Sequence, residues 1–193
     1  MDNALIDVLN KIDEINAQDP NHTIVGGEPV AKELIYGQRM SACLSQYWPD
    51  ADQYLQIAVR AQHIKRWHIK RNEYPLGKAG YLKWRKELGL FHAQLTEQVM
   101  QECGYNLEDI QITGAIVRKE KLRTNPNTQT LEDVACLVFL TYYFEPFAAK
   151  HSEEKIISIV QKTWKKMSDQ AKNIALTLTL PAHLASLIQK ALA

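Results

Sequence analysis

Leu5, Val8, Leu9, Ile12 and Ile15 recur at three- and four-residue steps, which puts them on one face of a helix. The chain therefore opens with an amphipathic helix, ended by Asp19-Pro20. Residues 17–28, with the pair Gly26-Gly27, read as a loop. Pro29 suits the first turn of a second helix, which runs to Trp48 and stops before Pro49. A third helix is expected over 51–67, with Tyr54, Ile57, Ala58, Ala61 and Ile64 as its core stripe. Beside that stripe run Gln56, Arg60, His63 and Trp67, an unusual set for a plain solvent face.

Pro75 and Gly77 mark 68–79 as a loop, followed by a long helix over 80–103 that Gly104 closes. Its stripe is Tyr81, Trp84, Leu88, Phe91, Leu95 and Val99, and His92 falls on the inward side. Asn106 and Asp109 form a capping box for a helix to about Lys119. Residues 121–128 read as a loop containing Pro126, and Ser152, Ser168 and Pro181 open three later helices. The segment 175–180, ALTLTL, alternates like a strand but lies between helical patterns. The fold class these periods predict is all-α, a single helical domain over 1–193.

One stretch, TLEDVACLVFLTYYF over 130–144, loses its one-sided stripe and is apolar all round from Val134 to Leu140, up to an interruption near Pro146. A helix of that kind is buried on all sides. Glu132 and Asp133 stand at its mouth, and an inward carboxylate must be paired, hydrogen-bonded or bound to a metal. Thr130 and Asp133 also have the spacing of a capping box.

Charge changes the picture only locally. The whole chain balances 23 basic against 22 acidic residues, so bulk charge implies no polyanionic partner. Between Arg60 and Lys86, however, nine Lys or Arg are offset by Glu73 alone. Arg60, Lys65, Arg66, Arg71, Lys78 and Arg85 interleave there with Trp67, Tyr74, Tyr81 and Trp84, and Arg118 and Lys119 follow. Arginine forks take phosphate or carboxylate, and aromatic faces stack on bases or cations. The segment is thus a candidate binding region for an anionic small molecule, with nucleic acid as the alternative partner. Three widely spaced cysteines, Cys43, Cys103 and Cys136, suggest neither a zinc knuckle nor a disulfide framework. With no signal-like N-terminus and no membrane-length apolar run, the cytoplasm is the expected compartment and a membrane is not an expected partner.

RAQHIKRW, YPLGKAGYLKWRKELGLFHA, LEDVACLVFL and KTWKKMS together resemble the domain-of-unknown-function family 4202, over nearly the whole chain. A more distant likeness is to HD-domain metal-dependent hydrolases. Their ligand order would fall on Tyr36, the pair Gln62-His63, His92 and Asp133. Tyr36 stands where the first His is expected, and the doublet lacks its Asp. The HD resemblance implies an HD-domain-like bundle with a divalent metal ion on His63, His92 and Asp133. Glu33, Tyr36 and Glu132 are the further candidates for catalysis. Arg60, Lys65, Arg66, Trp67, Arg71, Lys78, Tyr81, Arg85, Arg118 and Lys119 would bind substrate.

Two functions follow as expectations. One is metal-dependent hydrolysis of a phosphorylated small molecule or nucleotide, the metal lowering the pKa of a bound water. The other is non-catalytic binding of RNA or a nucleotide by the same basic and aromatic surface.

Overall fold

The structure is a computed structural model describing residues 3–192. Helices dominate it, as the periodicity predicts. By internal contact the chain divides into two compact units, Met1–Thr128 and Gln129–Ala193. Among the described residues no helix is long and apolar enough to cross a membrane.

In the first unit, α1 (Asn3–Asn16) buries Leu5, Val8 and Ile12 against Ile57, Ala61, Ile64, Val99, Met100 and Ile110. An antiparallel hairpin follows where a loop was expected. Strands β1 (His22–Val25) and β2 (Glu28–Ala31) pair His22 with Ala31 and Val25 with Glu28. Gly26 and Gly27 connect them with φ of 59° and 92°, the positive angles that a two-residue primed turn demands. Pro29 accordingly lies in β2 and does not open a helix.

Helix α2 (Lys32–Tyr47) begins three residues later, after Ala31, whose side chain cannot cap it. Buried Asp19 supplies the missing acceptor: its Oδ2 accepts from the Glu33 N–H at 3.1 Å, and its Oδ1 from Asn21. Glu33 is thereby fixed in the first turn of α2.

Helix α3 (Gln53–Ala61) has Asp52 as its N-cap, accepting from Leu55 N–H. It stops six residues before the expected end at 67. Tertiary structure captures the chain here: the Lys65 N–H donates to Asn16 Oδ1 at 2.9 Å, and Lys65 takes a left-handed φ of 50°. A short 3-10 turn, Arg66–His68, follows. Gln62 and His63 therefore sit in a turn after α3, not on a helix face.

Helix α4 (Gly77–Glu102) starts three residues earlier than expected and ends in the Gly104 cap. Tyr105 N–H and Gly104 N–H donate to the Met100 and Gln101 carbonyls there. Helix α5 (Leu107–Val117) has the expected capping box, Asn106 Oδ1 accepting from Asp109 N–H.

Helix α6 (Pro126–Val138) begins at Pro126, which the sequence placed in a loop. Asn125 Oδ1 accepts from the Asn127 and Thr128 N–H groups, so Asn125 does the capping expected of Thr130. In the second unit residues 131–134 are all buried, as are Cys136, Leu137, Val138 and Leu140, in keeping with the all-round apolar run. The helix widens to a π-turn over Phe139–Tyr143 before α7 (Phe144–Ala148). Pro146, lacking an N–H for the Tyr142 carbonyl, supplies a local reason for the widening.

Helix α8 (Glu153–Trp164) packs on α10 (Ala182–Leu192), and α9 (Asp169–Thr177) lies between them in sequence. Of the alternating stretch 175–180, the first part is the end of α9.

Candidate functional site

The turn after α3 carries two of the expected site residues, His63 and Arg66, into one place together with Gln62. Gln62, His63 and Arg66 from that turn line a pocket with Arg85, Leu88, Gly89 and His92 of α4 and with Val117, Arg118 and Lys119 at the end of α5. Its volume is about 90 Å³, several times the space one water requires. A phosphoryl-sized group fits; the remainder of a nucleotide would extend outside.

His63 is the hub of the wall. Its ring stacks on Tyr36, centroids 4.0 Å apart and planes 12° from parallel. Arg66 Nη1 lies 2.9 Å from Nε2, and Glu33 Oε2 lies 3.2 Å from Nδ1. A guanidinium only donates, so Nε2 must be the bare acceptor and Nδ1–H must donate to Glu33. His63 is then neutral. Burial, then the Arg66, Arg85 and Lys119 charges and the neighbouring His92 imidazole, hold its pKa well below the ordinary 6.5. Burial also lifts Glu33 to about 7, with the Arg66 guanidinium opposing it.

Arg66 is consequently fixed from several sides. Besides the His63 contact, its Nε is 3.9 Å from Glu33 Oε1, and its guanidinium lies 5.0 Å from the centre of the Trp84 ring. Trp84 is itself anchored by donating from Nε1 to the Ile69 carbonyl at 3.0 Å.

His92 faces the pocket from α4 and is 4% exposed. Its Nδ1 stands 2.7 Å from the Ile64 carbonyl. A carbonyl only accepts, so Nδ1 carries the proton. Burial pushes the His92 pKa down to about 3, and the Arg66 and Arg85 charges act the same way. Nε2 is therefore a bare acceptor, buried and without a hydrogen-bond partner. The Gln62 side-chain oxygen is in the same condition. The two imidazole centroids are 6.1 Å apart.

The cations differ in how far they are already engaged. Arg85 is exposed, while Arg118 donates to Glu97 Oε1 at 2.5 Å and to Glu120 Oε1 at 2.6 Å. Lys119 adopts a left-handed φ of 58°. Among the described residues no carboxylate lines the pocket.

Other residues expected at a site lie elsewhere. Arg60 donates bidentately to Asp13 on α1, both contacts 2.7 Å. Arg71 donates to the Tyr74 and Pro75 carbonyls. Lys65 and Trp67 are half-buried in the turn, and Lys78 and Tyr81 are exposed at the start of α4.

Asp133 belongs to the second unit. Its Oδ1 accepts from Ser168 N–H at 2.8 Å and from Gln129 Nε2 at 2.9 Å, and its Oδ2 accepts from Ser168 Oγ at 2.5 Å. Burial raises its pKa and these three bonds oppose the rise. Ser168 in turn caps α9, its Oγ accepting from Ala171 N–H. The carboxylate thus fastens one helix start. Glu132 is buried and pairs with Lys166 at 3.3 Å.

Among the described residues no group of three or more His, Cys, Asp or Glu is placed to hold a metal ion. What the pocket itself offers a divalent ion is one uncommitted imidazole nitrogen and an amide oxygen, facing fixed positive charge. Two lone pairs facing that charge do not fit a resident cation; it is the Arg66, Arg85, Arg118 and Lys119 cations of the lining that suit the oxygens of an anion. Gln62 is the lining residue that sequence reasoning missed as a binder. An expected helix to 67 gave no reason to turn Gln62 towards α4. The left-handed turn at Lys65 that does so rests on distant Asn16 and has no local sequence signal.

The model of one family spans residues 6–188 of the chain. The chain belongs to DUF4202, a family described as a domain of unknown function. No curated protein and no solved structure matches it. The likeness to HD-domain hydrolases is not shown by these comparisons.

Proposed function

We propose that the protein binds a phosphorylated small molecule or nucleotide, its phosphoryl group seated in the pocket between the turn after α3, α4 and α5. One observation carries this: Arg66, held in place by His63, Glu33 and Trp84, meets Arg85, Arg118 and Lys119 around a cavity that no carboxylate lines. Preorganised guanidinium forks match phosphate oxygens and lose little freedom on binding. Metal-dependent hydrolysis would need carboxylate or imidazole ligands beyond those facing the cavity. The geometry therefore favours binding, and the base or sugar of a nucleotide would extend outside the cavity.

The experiment is thermal unfolding with increasing inorganic phosphate and, separately, a nucleoside monophosphate. Binding to the folded state alone stabilises by mass action, about 2.7 kcal/mol at a hundred times Kd. Arg85→Gln, at an exposed position, should remain folded and show a much smaller phosphate shift. Arg66→Gln should show the least. No shift in the unmodified protein, or a shift that both variants retain in full, would overturn the reading.

A further inference from the structure

Four side chains of the pocket are obligate donors: three arginines and a lysine. His92 is the exception. Its Nδ1–H is committed to the Ile64 carbonyl at 2.7 Å, its ring is 4% exposed, and its Nε2 has no partner. A buried acceptor left unpaired is destabilising, and nothing on the protein's side relieves it. Protonation is not an escape, because burial and the Arg66 and Arg85 charges hold the imidazole neutral. A bound ligand could relieve it only with a hydrogen of its own. Gln62, 8% exposed, has an amide that can turn to offer either its oxygen or its N–H. Discrimination therefore rests on His92, whose tautomer the Ile64 carbonyl fixes.

Resting on the phosphate reading above, we infer that the pocket selects anions that carry their own hydrogen-bond donor, with His92 Nε2 as the acceptor that recognises it. The ligand class is a hydrogen phosphate, or a phosphate monoester whose neighbouring sugar hydroxyl reaches the same nitrogen. Oxyanions of equal charge and similar size with no hydrogen, sulfate above all, would set lone pair against lone pair at Nε2 and be rejected. A site built to bond a ligand O–H discriminates strongly against the analogue that lacks it.

Calorimetric titration of the full chain near pH 8, in EDTA and at matched ionic strength, compares inorganic phosphate with sulfate. Both are then mainly dianions, and hydrogen phosphate alone has an O–H. Phosphate is expected to bind roughly ten- to a hundredfold more tightly, the range of one hydrogen bond involving a charged partner. His92→Asn keeps an amide N–H where Nδ1–H stood and removes the Nε2 acceptor, so phosphate should weaken towards sulfate while sulfate changes little. Arsenate, which also retains a hydrogen, should behave as phosphate does and provides the same contrast if the variant does not fold. Sulfate within about twofold of phosphate in the unmodified protein would overturn this inference and leave the anion-binding reading standing. If neither anion binds, both fall. Phosphate binding that appears only on adding zinc in place of EDTA would put a metal on Nε2 and overturn it too.

Discussion

Nearly all that distinguishes His92 from an ordinary core histidine follows from where its two nitrogens point, and the same geometry makes it a titration element. In the unfolded chain an imidazole takes up a proton near 6.5, whereas folded His92 does so only near 3. Between those values the unfolded state binds more protons, so stability is full above about pH 6.5 and declines as pH falls. His63 acts in the same direction. Glu33, lifted to about 7, acts oppositely, because the folded state holds its proton between 4.5 and 7. Between pH 7 and 5 the two histidines outweigh Glu33, with Asp133, also raised by burial, acting on the side of Glu33. They leave a net loss towards acid, at up to about 1.4 kcal/mol per pH unit for each unbalanced proton. Urea unfolding between pH 7 and 5 should show this decline, and His92→Asn should flatten it by about one proton. An unchanged slope would mean that His92 titrates normally. At this scale the sequence was informative about which polar residues turn inward, since His92 falls on the apolar side of its helix, Asp133 opens an all-round apolar run, and His63 stands in an unusual stripe beside a core face. It was silent on their partners. Ser168 lies 35 residues from Asp133, and only the tertiary fold makes that carboxylate a fastening for α9.

Helix ends were legible where the signal is local. Asn106 with Asp109, Gly104 after Cys103, and Ser168 before Asp169 each act within a turn of their own residue. The hairpin was missed although Gly26-Gly27 has the primed-turn signature, because four-residue strands show little alternation. The early end of α3 depends on Asn16, far away in sequence. Within α4, Gly89 occupies the middle of a 26-residue helix, where glycine is about 1 kcal/mol less favourable than alanine. A Cβ built there meets nothing within 4 Å, and Gly89 lines the pocket. Gly89→Ala should therefore raise stability by about 0.5–1 kcal/mol and at the same time diminish the phosphate-induced melting shift. Both readouts come from one set of melts with and without phosphate. A more stable variant with an undiminished shift would separate this face of α4 from the ligand.

Across the whole molecule, charge in the sequence and charge available to a partner diverge. The basic run from Arg60 to Lys86 suggested a broad cationic surface, yet Arg60 is paired with Asp13, Arg71 with backbone carbonyls, and Lys83 with Glu87. Four cations line one small cavity, and of these Arg118 is already engaged with Glu97 and Glu120. Single-stranded nucleic acid contributes a slope of about −0.7 in log affinity against log salt for each phosphate neutralised. Anisotropy titrations of an RNA oligomer between 50 and 300 mM salt should then give a slope no steeper than about −3. A slope of about −5 or beyond would reveal a much wider nucleic-acid surface. The grip of His63, Glu33 and Trp84 on Arg66 has a kinetic consequence. A guanidinium already parked in its binding orientation leaves little to rearrange when ligand enters, so capture should proceed in a single rapid phase. Differences in affinity among related ligands would then be expressed as residence time, with arrival rates nearly alike.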